Sequence, residues 1–340
     1  MTVALSDRFF EKGRAFLGVQ YPFICGAMTW VSDPRLVSAV ANAGGFACLA
    51  GGNAPVEVLA AQIEETRRLT DKPFGVNLIP MAPVYPDHLA LVRDLECPVV
   101  VYAGLPRKKE LSLVQAAGAK TMCFAATETV GKRMLDNGAD ALIIEGMEAG
   151  GHVGQVSLSI LLQQVLFQDL KVPVFVGGGI VTGRMCAHMF LMGAAGVQFG
   201  TRFAVSEESS AHPKLKEAYV RANARDAVST PQVDRRLPVI PVRAVRNKAT
   251  EDFSRLQIQL IEEIEQGKMT RTEAQRKLEG FWENRLRGAV VDGDVSHGSM
   301  MAGQSVGLVK SILPVQEIIN GLVAETEAEL AKVRKKLMDS

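Results

Sequence analysis

The residues best equipped for chemistry sit in four glycine-containing loops: CGAM (Cys25 to Met28), EGMEAGGHVG (Glu145 to Gly154), GGGI (Gly177 to Ile180) and GTRF (Gly200 to Phe203). In the second a single histidine, His152, is flanked by Gly150, Gly151 and Gly154. An imidazole titrates near neutral pH, and one left accessible by glycines suits proton transfer or the orientation of a polar substrate. Glycine also lets backbone N–H groups approach a ligand closely, as a phosphate-holding loop requires. Asn77, which ends FGVN, can both donate to and accept from a planar heterocycle. His88 and His188 fall in predicted helices, and His212 and His297 in polar stretches, so His152 stands alone. The sequence contains no His/carboxylate spacing for a catalytic metal, no G-x-S-x-G elbow and no G-x-x-x-x-G-K-S loop.

These loops recur at one place in a repeating unit. Short apolar, β-branched runs alternate with amphipathic stretches about every 25 residues. Predicted strands are Phe23 to Cys25, Phe46 to Leu49, Phe74 to Leu78, Val99 to Tyr102, Thr121 to Phe124, Ala141 to Ile144, Val174 to Val176 and Gly196 to Phe199. Predicted helices between them are Pro34 to Ala43, Pro55 to Leu69, Asp87 to Leu95, Lys109 to Ala117, Glu128 to Asn137, Leu158 to Phe167 and Gly183 to Met192. Gly44, Gly118, Gly138 and Gly193 stand where a helix must stop in a left-handed turn. The pattern is α/β, and eight such units favour closure into a (β/α)8 TIM barrel over an open doubly wound sheet, which alternates in the same way. In a barrel the loops after the strands carry the site, and GGGI and GTRF follow the seventh and eighth strands, where a phosphate is commonly held.

The rhythm stops after Phe203. We therefore expect a barrel over residues 1–205, a mainly helical substrate lobe over 206–298, and a segment over 299–340 that packs back on the barrel. Helices are predicted at His212 to Ala224, Thr250 to Gln266 and Pro314 to Met338, with an extended connection through the proline-rich stretch Pro231 to Arg246. With 38 basic against 37 acidic residues the net charge is +1, and no run of five or six bases occurs, so neither nucleic acid nor anionic lipid is an expected partner. No apolar run approaches the roughly 20 residues of a membrane span. The opening MTVALSDRFFEKGRAF lacks the apolar stretch of a secretory signal, and a cytoplasmic location is expected. Five cysteines without C-x-x-C spacing argue against a disulfide or zinc framework, and Cys25, Cys48 and Cys123 read as buried small hydrophobes.

The stretches YPFICGAMTWVSDPRLVSAVANAGGFACLAGGN, DKPFGVN, ADALIIEGMEAGGHVG, VPVFVGGGI, GVQFGTRF and GSMMAGQSVGLVK occur in the order seen in a known family. Over nearly its whole length the sequence resembles the flavin-dependent nitronate monooxygenase and type II enoyl-acyl-carrier-protein reductase group. The resemblance implies a barrel with a smaller helical lobe and non-covalent FMN at the carboxyl-terminal face of the strands. Carried over by motif, Gly26, Ala27 and Met28 would run along the isoalloxazine and Asn77 would bond it, with Glu145 and Gly151 also on the cofactor. Gly178, Gly179, Gly200 and Thr201 would cradle the phosphate, Gln304 would reach back toward the ring, and His152 would be catalytic on the substrate side.

Members of the group reduce enoyl thioesters with NAD(P)H in fatty acid biosynthesis, oxidise alkyl nitronates with O2, or reduce quinones. EGMEAGGHVG and the GSMMAGQSVGLVK tail resemble the reductase branch, which makes NAD(P)H the expected co-substrate. The departures are CGAM where QGGM is more usual and FAAT (Phe124 to Thr127) where reductases more often carry Val-Pro. Nitronate oxidation, quinone reduction and a non-catalytic flavin carrier stay open. So do acyl chain length, the choice of NADH or NADPH and any monovalent-cation requirement. Acyl carrier protein and a second copy of the chain are the candidate macromolecular partners.

Overall fold

Runs such as Val99–Tyr102 and Val174–Gly177 are buried at every position, and a strand of that kind needs cover on both faces. In the computed structural model, which describes residues 4–339, a closed parallel ring provides it. The strands are β1 (Phe23–Cys25), β2 (Phe46–Ala50), β3 (Gly75–Leu78), β4 (Val99–Tyr102), β5 (Lys120–Ala125) and β6 (Ala141–Glu145). After a two-residue strand outside the ring, β7 (Gly151–His152), come β8 (Val174–Gly177) and β9 (Gly196–Phe199). The ring runs β1-β2-β3-β4-β5-β6-β8-β9 and closes where Phe23, Ile24 and Cys25 pair with Val197, Gln198 and Phe199. This is the (β/α)8 barrel that the alternation predicts. Ile24, Phe46, Cys48, Val99, Val101, Met122, Ile143 and Phe175 fill its interior, and a larger cluster lies between strands and helices.

Helix Leu5–Leu17 seals the amino-terminal end, with Phe16 and Leu17 packed on the interior cluster. Gly13 allows the close fit: a Cβ there would overlap the Ala195 carbonyl oxygen. At the other terminus, helix Val315–Met338 lies along helix Gly183–Leu191. Gly183 N–H donates to Glu325 Oε2 (2.7 Å), and the Thr326 hydroxyl donates to the Gly183 carbonyl (3.1 Å).

The lobe departs from the expected run of helices. Its prolines leave β11 (Val242–Val245) extended, and it pairs antiparallel with β10 (Ala227–Ser229) on one side and β7 on the other. Helices Lys248–Glu265 and Arg271–Val290 enclose a core of Leu237, Phe253, Leu260, Leu278 and Trp282. The second of these was not predicted, although Thr270 and Glu273 form its reciprocal amino-terminal cap. The predicted helix Leu158 to Phe167 is α only over Leu158–Leu161 and widens to a π-helix over Leu162–Leu166. All five cysteines are buried and free. Among the described residues no helix is long and apolar enough to cross a membrane.

Gly13→Ala should force the sealing helix off the barrel floor. Overpacking of this kind costs about 1–3 kcal/mol, so thermal unfolding should show a midpoint lowered by several degrees. An unchanged midpoint would show that the helix can shift freely.

Candidate functional site

The carboxyl-terminal mouth of the ring is polar where the interior below is apolar. Paired residues of a parallel ladder face the same side, and the chain of partners Ile24–Gln198–Gly177–Glu145 starts from a residue of the interior cluster. Gln198 and Glu145 therefore face inward, and Gly177 between them leaves space. Across the ring, Asn77 pairs with Val101, which pairs with Met122, and both partners are interior. Asn77 donates from Nδ2 to the Val101 carbonyl (3.2 Å), which fixes its amide at the rim. The Gln198 side chain lies against Gly26, where a Cβ would come within 3.0 Å of Cδ. Asn77 and Gln198 are buried and Glu145 half-buried.

Glu145 has no hydrogen bond or ion pair among the described residues. Burial without a cation pushes its carboxyl up to about 8, so near neutral pH it is mostly the uncharged acid and can donate a hydrogen bond. The three groups around the mouth are thus uncharged and can both donate and accept.

Each loop around this rim is anchored. Gly26 N–H donates to the Phe199 carbonyl (3.0 Å) and Ser32 Oγ to the Gly26 carbonyl (3.1 Å), which sets the path of Gly26, Ala27 and Met28. The turn that follows holds Trp30 at φ 67°, a left-handed conformation uncommon for a bulky side chain, with its ring half-exposed. After β8, Gly178 and Gly179 have φ of 93° and 73°, and a Cβ on Gly178 would lie 2.9 Å from the Gly146 nitrogen. The amides of Gly178, Gly179 and Gly200 donate to no backbone carbonyl among the described residues. Glu148, beside Gly179, is turned away: its carboxylate accepts from Leu158 N–H at 3.1 and 3.3 Å.

The segment around Gln304 closes this side. Gly303 N–H donates to Thr201 Oγ1 (3.1 Å) and Gln304 N–H to the Glu148 carbonyl (2.9 Å), while Gly150 fits against Ala302 so closely that a Cβ would come within 2.5 Å of its carbonyl carbon. Gly178, Gly179, Gly200, Thr201 and Gln304 thus gather on one side of the mouth, with Gly26 to Met28 and Gln198 adjoining and Asn77 across the ring.

His152 is placed differently from the loop position its glycines suggest. It lies in β7, paired with Val242, and its exposed ring has Nε2 3.3 Å from Glu279 Oε2 on helix Arg271–Val290 of the lobe. Its flanking glycines serve close packing: Gly150 meets Ala302, and a Cβ on Gly154 would meet Ala126 Cβ at 2.7 Å. Gly151, at φ 75°, turns the chain into β7 opposite Arg243. Sequence reasoning missed two residues. Gln198, the one polar residue in the apolar run GVQF, is not among the residues singled out above, although that position is the signal that could have found it. Arg243, buried in the lobe sheet, donates from Nε to the Met147 carbonyl (3.0 Å) and from Nη1 to the Ala227 carbonyl (2.7 Å), contacts that spacing in the sequence does not signal.

These residues fit a flavin. The apolar layer under an uncharged donor–acceptor rim suits a flat heterocycle, and free amides at side-chain-free positions suit its phosphate. A (β/α)8 barrel carries its chemistry on the loops at this mouth, which makes it the candidate active site. The sequence model for nitronate monooxygenase matches residues 11–95 and 79–325, and the chain belongs to that family of flavin-type oxidoreductases. It is 31% identical to the (3aS,4S,5R,7aS)-5-hydroxy-7a-methyl-1-oxo-octahydro-1H-indene-4-carboxyl-CoA dehydrogenase of Rhodococcus jostii, over 91% of this chain and 93% of that protein. It is also 31% identical to the nitronate monooxygenase of Pseudomonas aeruginosa, over 63% of this chain and 73% of that protein. The structure of FabK from Thermotoga maritima superposes with a TM-score of 0.84 at 35% identity, covering 95% of this chain and 98% of that one.

The carboxyl of Glu145 gives a signed prediction. A raised acid contributes stability that is complete below its unfolded pKa of about 4.3 and is lost as pH rises through about 8. Glu145→Gln fixes the neutral shape, so its melting temperature should fall less than that of the wild type between about pH 5 and pH 9. Parallel melting curves for the two proteins would show that Glu145 is ordinarily ionised.

Proposed function

We propose that this protein is an FMN-dependent reductase of enoyl thioesters that draws its electrons from NAD(P)H. What supports the thioester reading is the degree of similarity: FabK is 35% identical over 95% of this chain and the carboxyl-CoA dehydrogenase 31% over 91%, whereas a nitroalkane oxidase of known structure is 26% identical over 94% and the Pseudomonas nitronate monooxygenase 31% over 63%. When bound, FMN would supply hydride transfer between nicotinamide and thioester.

The chain's own residues then have separate tasks. The backbone of Gly26, Ala27 and Met28 would run along the ring, with Asn77, Gln198 and neutral Glu145 bonding its polar edges. Gly151 would lie nearby in the loop. Gly178, Gly179, Gly200 and Thr201 would take the phosphate, with Gln304 closing that side. His152, held by Glu279 at the edge of the lobe, would give a proton to the substrate carbon chain or orient its carbonyl.

The family's name favours a second reading, oxidation of an alkyl nitronate by O2. Anaerobic spectroscopy separates the two. We expect NAD(P)H to bleach the flavin and an enoyl thioester to restore its colour. Direct bleaching by a nitronate, with NAD(P)H inert, would overturn the reductase reading. His152→Ala should keep the flavin spectrum and slow reoxidation by the thioester about 10²- to 10⁴-fold, with reduction by NAD(P)H less affected. Unchanged rates in stopped-flow for both half-reactions would remove His152 from the mechanism.

A further inference from the structure

Among the described residues, Arg202, Lys216 and Arg243 are the lysine and arginine side chains that are buried. Two of them are answered by acids. Glu208 and Glu207 lie close enough to Lys216 to favour its charge, and Glu148 does the same for Arg243. Arg202, only 9% exposed, has no ion pair among the described residues and no acid raising its basicity. Its Nη2 donates to the carbonyls of Val205 (3.0 Å) and Ser311 (2.7 Å), and its buried Nε has no partner. Burial pushes the guanidinium down to about 10, so it is still a cation near neutral pH. A buried charge answered only by neutral dipoles, with one donor left over, works against folding.

This cation stands beside a site suited to an anion. Arg202 follows Thr201 directly, about 3.8 Å away between Cα atoms across a trans peptide. Together the two residues hold the segment that closes the cradle. Thr201 Oγ1 accepts from Gly303 N–H (3.1 Å) at one end, and Arg202 holds the Ser311 carbonyl at the other. The cradle itself brings no cation: Gly178, Gly179, Gly200 and Thr201 offer neutral donors, and the nearest charged neighbour of Gly179 is Glu148. Neutral amides orient a phosphate, whereas a cation set away from bulk water adds attraction that salt screens little. With Arg243 already beside Glu148, Arg202 is the positive charge left unanswered.

We propose that Arg202 supplies the countercharge for the phosphate held by Gly200 and Thr201. The proposal rests on the FMN reading above and divides the work within one motif. The backbone of Gly200 and Thr201 sets where the phosphate sits, and Arg202 sets how strongly its charge is held. In return the phosphate relieves the uncompensated charge of Arg202. The competing role is bracing alone, in which Arg202 only ties Ser311 to the barrel. Bracing would serve a flavin with or without its phosphate equally.

The test compares FMN with riboflavin, which lacks the phosphate, by quenching of flavin fluorescence in flavin-free wild type, Arg202→Gln and Arg202→Lys. Glutamine keeps a donor for a carbonyl but not the charge, and lysine keeps both. We expect Arg202→Gln to bind FMN about tenfold or more weakly, about 1.4 kcal/mol for each factor of ten, with riboflavin unchanged. Arg202→Lys should keep most of the wild type's preference for FMN. Equal weakening of both flavins in Arg202→Gln would assign the residue to bracing and overturn the proposal. So would a preference for FMN that survives in full in Arg202→Gln, or one that is lost in a folded Arg202→Lys, an arm that stands even if the glutamine variant fails to fold. Wild type that binds the two flavins alike would overturn the phosphate cradle and this proposal with it, whereas a wild-type preference that Arg202→Gln retains would overturn this proposal alone.

Discussion

The seam between β9 and β1 is the contact on which the rest of the site depends. Three residue pairs close the ring, and one of them joins Ile24 of the interior to Gln198 of the mouth. Because the seam joins the first and last barrel strands, it sets the Gly26–Met28 loop beside Gly200 and Thr201, which are far away in sequence. Gly26 N–H donating to the Phe199 carbonyl continues the ladder past the end of β1. A closed ring has no edge to vary, so the chemistry is carried by the loops it holds in place.

Desolvation then sets the character of the mouth. No cation accompanies Glu145, so its carboxyl stays protonated near neutrality and joins two amides in an uncharged ring of donors and acceptors. The lobe stabilises this side without adding charge to the rim. Arg243 holds the Met147 carbonyl just beyond Glu145, and β7 anchors the remainder of the same loop by pairing with β11. Burial lowers the readiness of Arg243 to stay charged, while Glu148 nearby opposes that loss.

Much of the fold was legible because its signals are local. Gly44, Gly118, Gly138 and Gly193 all have φ between 86° and 105°, the left-handed stops that their positions after the helices implied. The grouping of GGGI with GTRF followed from barrel order alone. The partner of His152 was not legible: Glu279 lies far along the chain on a helix not predicted, and the flanking glycines proved to be sites of close backbone contact. The lobe sheet was hidden for the same reason, since β7 is two residues long and gains its pairing only from distant β11. Gln198 could have been found as a polar side chain inside an apolar strand, which in a barrel points either to the interior or to helices and costs stability without a partner.

We propose that the mouth and its glycine cradle seat FMN, with the phosphate contributing much of the affinity. Titration of flavin-free protein with FMN and with riboflavin, followed by quenching of flavin fluorescence, tests it most directly. We predict one FMN bound per chain, with riboflavin at least about a hundredfold weaker, as loss of charge-assisted bonds from several amides implies. Equal affinity for the two flavins, or no binding of FMN, would contradict this assignment.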